Sequence, residues 1–272
     1  MDHLMRALAP VATEAWKQID DEARERLTAH LAARRLVDVV GPHGWQFSAT
    51  DLGRASALKG VPVESEGADV VVRQRQVLPL AEIRVPFTVA RSELDDAQRG
   101  ADDLELDDLD RAARDAAMVE NRAVFHGWSE ASMTGLVNTA PYPAESLGSD
   151  AEAYPGVVAK AVDTLRRAGI EGPYGLAIGP TGYTRIVEST EHGGVLVFDH
   201  LRRILSGGKI VRSPTLQGAV VLSLKDGHFL LELGQDFSVG YSHHDADTVS
   251  LYLEESFSFR VAEPDAAIAL TE

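Results

Sequence analysis

The stretch ADVVVRQRQV, residues 68–77, is the segment that most limits how this chain can fold. Side chains of a strand alternate between two faces, so Val70, Val72, Gln74 and Gln76 share one face and Val71, Arg73, Arg75 and Val77 share the other. Each face mixes valine with glutamine or arginine. Neither can be laid on the chain's own core without burying polar groups that lack partners. The segment therefore reads as an extended ribbon whose apolar residues are covered by a neighbouring subunit, and SALKGVPVESEGAD (56–69) before it reads as a hairpin tip.

Elsewhere the periodicity is conventional. From Pro10 to Arg35, the residues Val11, Ala15, Trp16, Ile19, Ala23, Leu27 and Leu31 recur at steps of three and four, which predicts an amphipathic helix closed by Asp38 and the turn VDVVGPHGW. A second helix is predicted over Asp107–His126, with a stripe of small residues that permits close packing, and a third through VVAKAVDTLRRAG, ending at Gly169. GPYGLAIGP reads as a short buried strand, and TGYTRIVES and VLVFDHLRRIL as helices on either side of an EHGG break. The last sixty or so residues are strand-like: AVVLSLKD, GHFLLELG, LGQDFSVGY, TVSLYLEESFSFRV and an apolar tail. Helices and strands come in mixed blocks without regular βαβ units, so the fold class is α+β.

Charge and composition exclude several functions. With 26 Lys and Arg against 42 Asp and Glu, the chain carries a formal charge of −16 and repels phosphate backbones, so no nucleic-acid partner is expected. Nine carboxylates against Arg99 alone fall between Glu93 and Asp110; this reads as a solvated loop leading into a helix start, with a cation-attracting surface as the alternative. There is no cysteine, which removes thiol catalysis, thiolate metal sites and disulfides. The opening MDHLMRALAP lacks the pattern of a secretory signal and no window is long and apolar enough to span a membrane, so the expected location is cytoplasmic.

No catalytic motif survives inspection. GWSEA (127–131) follows a helix where a nucleophile elbow follows a strand, and Ala131 stands where the second glycine is needed. SGGKI (206–210) lacks the upstream glycine and the Ser or Thr of a phosphate loop, and reads as a turn into a strand. His243, His244 and Asp245 have no further ligand at metal-site spacing and read as a solvated loop.

Nine blocks, in order, resemble one known family: LMRALAPVATEAW, ARRLVDVVGPHGW, PLAEIRVPFTV, SELDDAQRG, VFHGW, GIEGPYGLAI, GGKIVRSP, GQDFSVGY and ESFSFRV. Together they resemble the shell proteins of encapsulin nanocompartments, the linocin-like bacteriocin family. The resemblance implies the fold of tailed-bacteriophage major capsid proteins, with a peripheral domain, an axial domain and an extended loop. On that basis residues 1–45 start the peripheral domain with the N-terminal helix, 46–76 form the extended loop, 77–140 hold the spine helix, 141–214 form the axial domain, and 215–272 return to the peripheral domain.

The resemblance also implies a function, a non-catalytic icosahedral shell of about sixty copies. Its guest would be a dye-decolourising peroxidase or a ferritin-like protein, held by a C-terminal targeting peptide. Carried over, the peptide-binding residues are Leu31, Arg34, Asp38, Leu231 and Leu233, the leucines supplying apolar anchorage and Arg34 and Asp38 fixing register. The alternative is that Leu31 and Leu231 are core residues and Arg34 pairs with Asp38 along one helix. The loop Ser189–Val195 would surround the fivefold pore, with Glu191, His192, Gly193 and Gly194 repeated in a ring that favours small cations. No cofactor is expected: some members hold a flavin against a tryptophan where this chain has Ser92. Two alternatives come with this resemblance, a virus-derived capsid that packages DNA, against which the acidic balance argues, and a bacteriocin with protease-like activity, which no nucleophile constellation supports.

Overall fold

The computed structural model describes residues 3–58, 70–191 and 194–272. The elements run α1 (Thr13–His30), β1 (Asp38–Val40), β2 (Ala49–Ala57), β3 (Arg73–Pro79), β4 (Ala81–Ala90), α2 (Arg91–Arg99), α3 (Asp107–His126), α4 (Leu136–Thr139) and β5 (Glu145–Ser146). They continue with α5 (Tyr154–Arg167), β6 (Tyr174–Ile178), α6 (Pro180–Glu188), α7 (Val197–Ile204), β7 (Ile210–Arg212), β8 (Ala219–Ser223), β9 (Phe229–Leu233), β10 (Ser238–His244), β11 (Thr248–Val261) and β12 (Ala267–Thr271).

Three sheets organise these elements. The first has the order β1-β9-β11-β10, with β4 also paired to β11, and carries α1 and α3 on one face. The second has the order β5-β12-β8-β6-β7 and is covered by α5, α6 and α7. Its strands β6 and β8 are buried at every residue, as their unbroken apolar runs require. This sheet takes β8 and β12 from residues 215–272, a segment assigned to the peripheral domain on sequence. A third cluster, with Leu36, Phe125, Leu222, Leu231, Leu233, Phe257 and Phe259, joins the two sheets.

The third sheet is the ribbon β2–β3 alone. Its strands pair from Ala49 opposite Pro79 to Ala57 opposite Arg73, and nearly every residue of β3 is exposed. A two-stranded ribbon without a covered face is at best marginally stable on its own. Part of the expected hairpin tip, 59–69, lies outside the described residues.

The helix α3 matches its predicted span to the residue. Asp107, Asp108 and Asp110 occupy its first turn, where the helix dipole favours them, and Gly127 closes it with φ +80°. The helix α1 is shorter than its periodicity predicts, because Asn121 of α3 brackets its end. The Asn121 Nδ2 donates to the carbonyl of His30 at 2.8 Å, and its Oδ1 accepts from the Ala33 amide at 2.8 Å. Those bonds satisfy terminal groups of α1 and turn the chain into a 3-10 segment at Ala33–Arg35.

The sequence SGGKI is indeed a turn into a strand. A Cβ on Gly208 would stand 1.7 Å from the Tyr174 carbonyl oxygen, so only glycine lets this turn pass β6.

Candidate peptide groove and pore loop

Between α1, the segment before it and β10 lies a cavity of about 410 Å3. Its apolar lining is Leu4, Ala23, Leu27, Leu31, Phe237, Val239 and Leu253. Polar groups line the rest: Arg6, Asp20, Arg24, Thr28, Arg34, Asp236 and Ser238. On one side Arg6 is held by Asp20 at 2.7 and 3.0 Å and stacks its guanidinium 3.9 Å from the centre of the Trp16 ring.

The strand β10, which contains the SVGY end of LGQDFSVGY, is the edge of its sheet, so one row of its backbone groups is not used by β11. The Tyr241 amide points outward and donates to the Leu4 carbonyl at 2.8 Å. Val239 lies two residues earlier with no bulge between them, so its backbone faces the same free edge, beside the cavity. Gly240 is small because the ring of Tyr252 lies over it: a Cβ there would come within 2.2 Å of that ring.

The sequence-assigned peptide residues separate into two sets. Leu31 and Arg34 line the groove. Leu231 and Leu233 do not. They sit on β9, which follows β10 along the same edge of β11, pairing with Phe257–Val261 where β10 pairs with Val249–Glu254, and both are turned into the core that joins the two sheets. Asp38 is also elsewhere: it opens β1, and its Oδ2 accepts from the Gly227 amide at 2.6 Å. The pairing of Arg34 with Asp38 along one helix is replaced by a different set of partners, since α1 ends at His30.

Those partners are three carboxylates. The Arg34 Nε donates to Glu120 Oε2 at 2.8 Å, Nη1 donates to Asp236 Oδ1 at 2.9 Å, and Nη2 donates to Glu255. Burial works against the charged guanidinium, but Glu120 and Glu255 more than offset it and raise the Arg34 pKa. Arg34 therefore has its donors committed behind the groove and serves to build its wall. Leu27, Phe237, Val239 and Leu253 were missed from sequence. The available signal was the alternation in LGQDFSVGY, which points Val239 and Tyr241 to one side.

In the loop assigned to the pore, His192 and Gly193 lie outside the described residues. Glu191 is not free: its Oε1 is 2.7 Å from Nδ1 of His200 on α7. Gly194 has φ +81° and donates its amide to the Glu191 carbonyl at 2.9 Å. Ser92 is exposed in the first turn of α2. His243 and His244 lie at the end of β10 rather than in a loop, and Nδ1 of His244 pairs with the Tyr241 hydroxyl at 2.6 Å. No helix among the described residues is long and apolar enough to cross a membrane.

This arrangement, two sheets with a long α3 between layers and a ribbon standing clear of both, is the capsid fold of tailed phages. A virus-like particle protein from Pyrococcus furiosus superposes with a TM-score of 0.67 at 16% identity, over 93% of this chain and 98% of that one. The capsid of an empty GTA particle superposes with a TM-score of 0.55 at 14% identity, over 88% and 89% of the two chains. Sequence defines the family more closely. The family model described as "Encapsulating protein for peroxidase" matches residues 1–258. The type 1 encapsulin shell protein of Rhodospirillum rubrum is 45% identical over 271 residues, covering 99% of this chain and 96% of that one. The corresponding protein of Mycobacterium tuberculosis is 38% identical over 271 residues and covers both chains fully. The chain belongs to the type 1 encapsulin shell proteins, and its role is structural rather than catalytic.

Proposed function

We propose that about sixty copies of this chain close into an icosahedral nanocompartment in the cytoplasm, and that its inner wall holds a guest enzyme by the guest's C-terminal peptide. The observation that carries this reading is the groove beside the β10 edge. It offers an apolar floor from Leu27, Leu31, Val239 and Leu253, and a free backbone edge at Val239. An extended peptide with two or three aliphatic anchors fits such a site, each anchor contributing roughly 1.5–3 kcal/mol before ordering costs. Single-peptide affinity is then modest, and a multisubunit guest gains by avidity.

A dye-decolourising peroxidase or a ferritin-like protein is the proposed guest, which would give the shell a part in oxidative stress or iron storage. The loop with Glu191, His192, Gly193 and Gly194 is the proposed fivefold pore, passing small cations. No flavin is proposed, because Ser92 offers no aromatic platform. The charge of −16 argues against packaged DNA.

The test is to co-express the chain with a fluorescent reporter that ends in the C-terminal segment of either guest. Electron microscopy should show closed particles of one size, and the reporter should sediment with them. Open or absent particles would overturn the shell, and a reporter left in the supernatant for both segments would overturn the groove.

A further inference from the structure

Behind the groove, one guanidinium faces three carboxyl groups. Glu120 reaches Arg34 from α3, Glu255 from β11 and Asp236 from the turn before β10. Glu254, next along β11, points to the opposite side of the sheet, where Arg84 holds it. The side chains of Glu120 and Glu255 are 0% exposed, whereas Asp236 is open to solvent. Glu120 Oε1 and Glu255 Oε2 are buried without a hydrogen-bond partner, although the two carboxyls lie within hydrogen-bonding reach of each other.

Fully ionised, the cluster would hold two buried negative charges against one positive charge. Burial of an ion is costly, and one cation cannot repay it twice. Two carboxyls in such a site relieve the excess by keeping one proton, which also supplies the missing hydrogen bond. Burial raises the Glu255 pKa well above the ordinary carboxylate range, with the neighbouring Glu120 adding to it. Burial raises Glu120 as well, against the pull of Arg34.

We propose that Glu120 and Glu255 share one proton at neutral pH and that this proton latches the wall of the peptide groove. With the proton in place, Arg34 also reaches outward to Asp236. Asp236 in turn accepts from the Phe237 amide at 2.8 Å, and Arg34 lies 5.3 Å from the Phe237 ring, so the turn that leads into Val239 is clipped in place. When the proton leaves, a second buried negative charge draws Arg34 inward and repels Asp236. The turn loosens and the groove loses its wall.

This inference rests on reading the groove as the guest site, so its test separates the two. A synthetic peptide with the guest's C-terminal residues is titrated into assembled shells by calorimetry, from mildly acidic to alkaline pH. Affinity should be flat at first and then fall by up to about tenfold per pH unit, the limit for one linked proton. Glu255→Gln keeps the shape and the hydrogen bond without an ionisable group, and should give a flat alkaline limb. A wild-type profile that stays flat would overturn the latch and leave the groove standing. A peptide that binds at no pH would overturn the groove. Infrared difference spectra of the wild-type shell need no variant: they should show a protonated carboxylic acid at neutral pH that disappears on alkalinisation. Its absence at neutral pH would overturn the latch even if Glu255→Gln failed to fold.

Discussion

Replacing Val70, Val71 and Val77 by serine should dissolve the shell while leaving each subunit folded. The three valines are 54%, 75% and 47% exposed and lie on or beside the strand β3. Neither sheet core includes them. Fully burying a valine is worth about 1.5 kcal/mol at the low end, so covering the exposed parts of all three contributes roughly 2.5 kcal/mol to one ribbon contact. Every subunit extends one ribbon, so that amount is lost once per subunit. The concentration at which particles form should then rise by roughly 70-fold. Within the subunit, surface changes of this kind cost about 0.5 kcal/mol or less, and circular dichroism and the melting profile should be unchanged. Sedimentation velocity across a dilution series reads the particle fraction. Particles that persist to the same dilution as wild type would refute the claim that the ribbon is a contact between copies, and an unfolded subunit would refute the claim that it stands apart from the cores.

Further outcomes follow from the same geometry. Thr28→Trp adds a large ring to the exposed rim of the groove and should block guest loading in intact shells, whereas Asp38→Ala should leave loading unchanged; pull-down of a tagged guest checks both. Arg34→Leu strips the cation from two buried carboxyls and should cost about 3–5 kcal/mol at neutral pH, with the deficit shrinking on acidification as Glu120 and Glu255 take up protons. In the wild type both carboxyls titrate above their unfolded values, so the folded chain binds more protons than the unfolded one. Their stabilisation is complete below the ordinary carboxylate range and is lost as pH rises through the folded titration, which melts at several pH values would show as a fall on the alkaline side. Glu191→Lys breaks the pair with His200 and places a positive charge on the loop, so uptake of small cations into shells should slow; unchanged uptake would place this loop away from the pore.

The long helix α3 could be read to the residue because its limits are local: acids at one end, a glycine at the other, and a stripe of alanines between. The ribbon was legible for the opposite reason, since two mixed faces rule out a core wherever the rest of the chain goes. The groove was only half legible. Strand register decides which strand stands beside α1, and nothing along HFLLELG or LGQDFSVGY reports that β9 pairs with one end of β11 and β10 with the other. Leu231 and Leu233 look as apolar as Val239 and Leu253, yet they fall beside the other end of β11, in the core between the sheets.

Arg34 shows where the limit lies in energetic terms. Read locally, ARRLVD offers Asp38 four residues on, an exposed helical pair worth a few tenths of a kcal/mol. The observed partners are 86, 202 and 221 residues away, and two of them are fully buried. At such a site each charge is worth several kcal/mol, so the distant set decides how the chain turns after α1 and the local pair does not form. The bracket from Asn121 acts in the same direction: it ends α1 at His30, and that end is what aims Arg34 at α3 and β11 instead of along its own helix. A residue that sequence alone assigns to gripping a guest is thus committed to holding together the wall that the guest would rest on, and its removal should be felt first in folding and only then in loading.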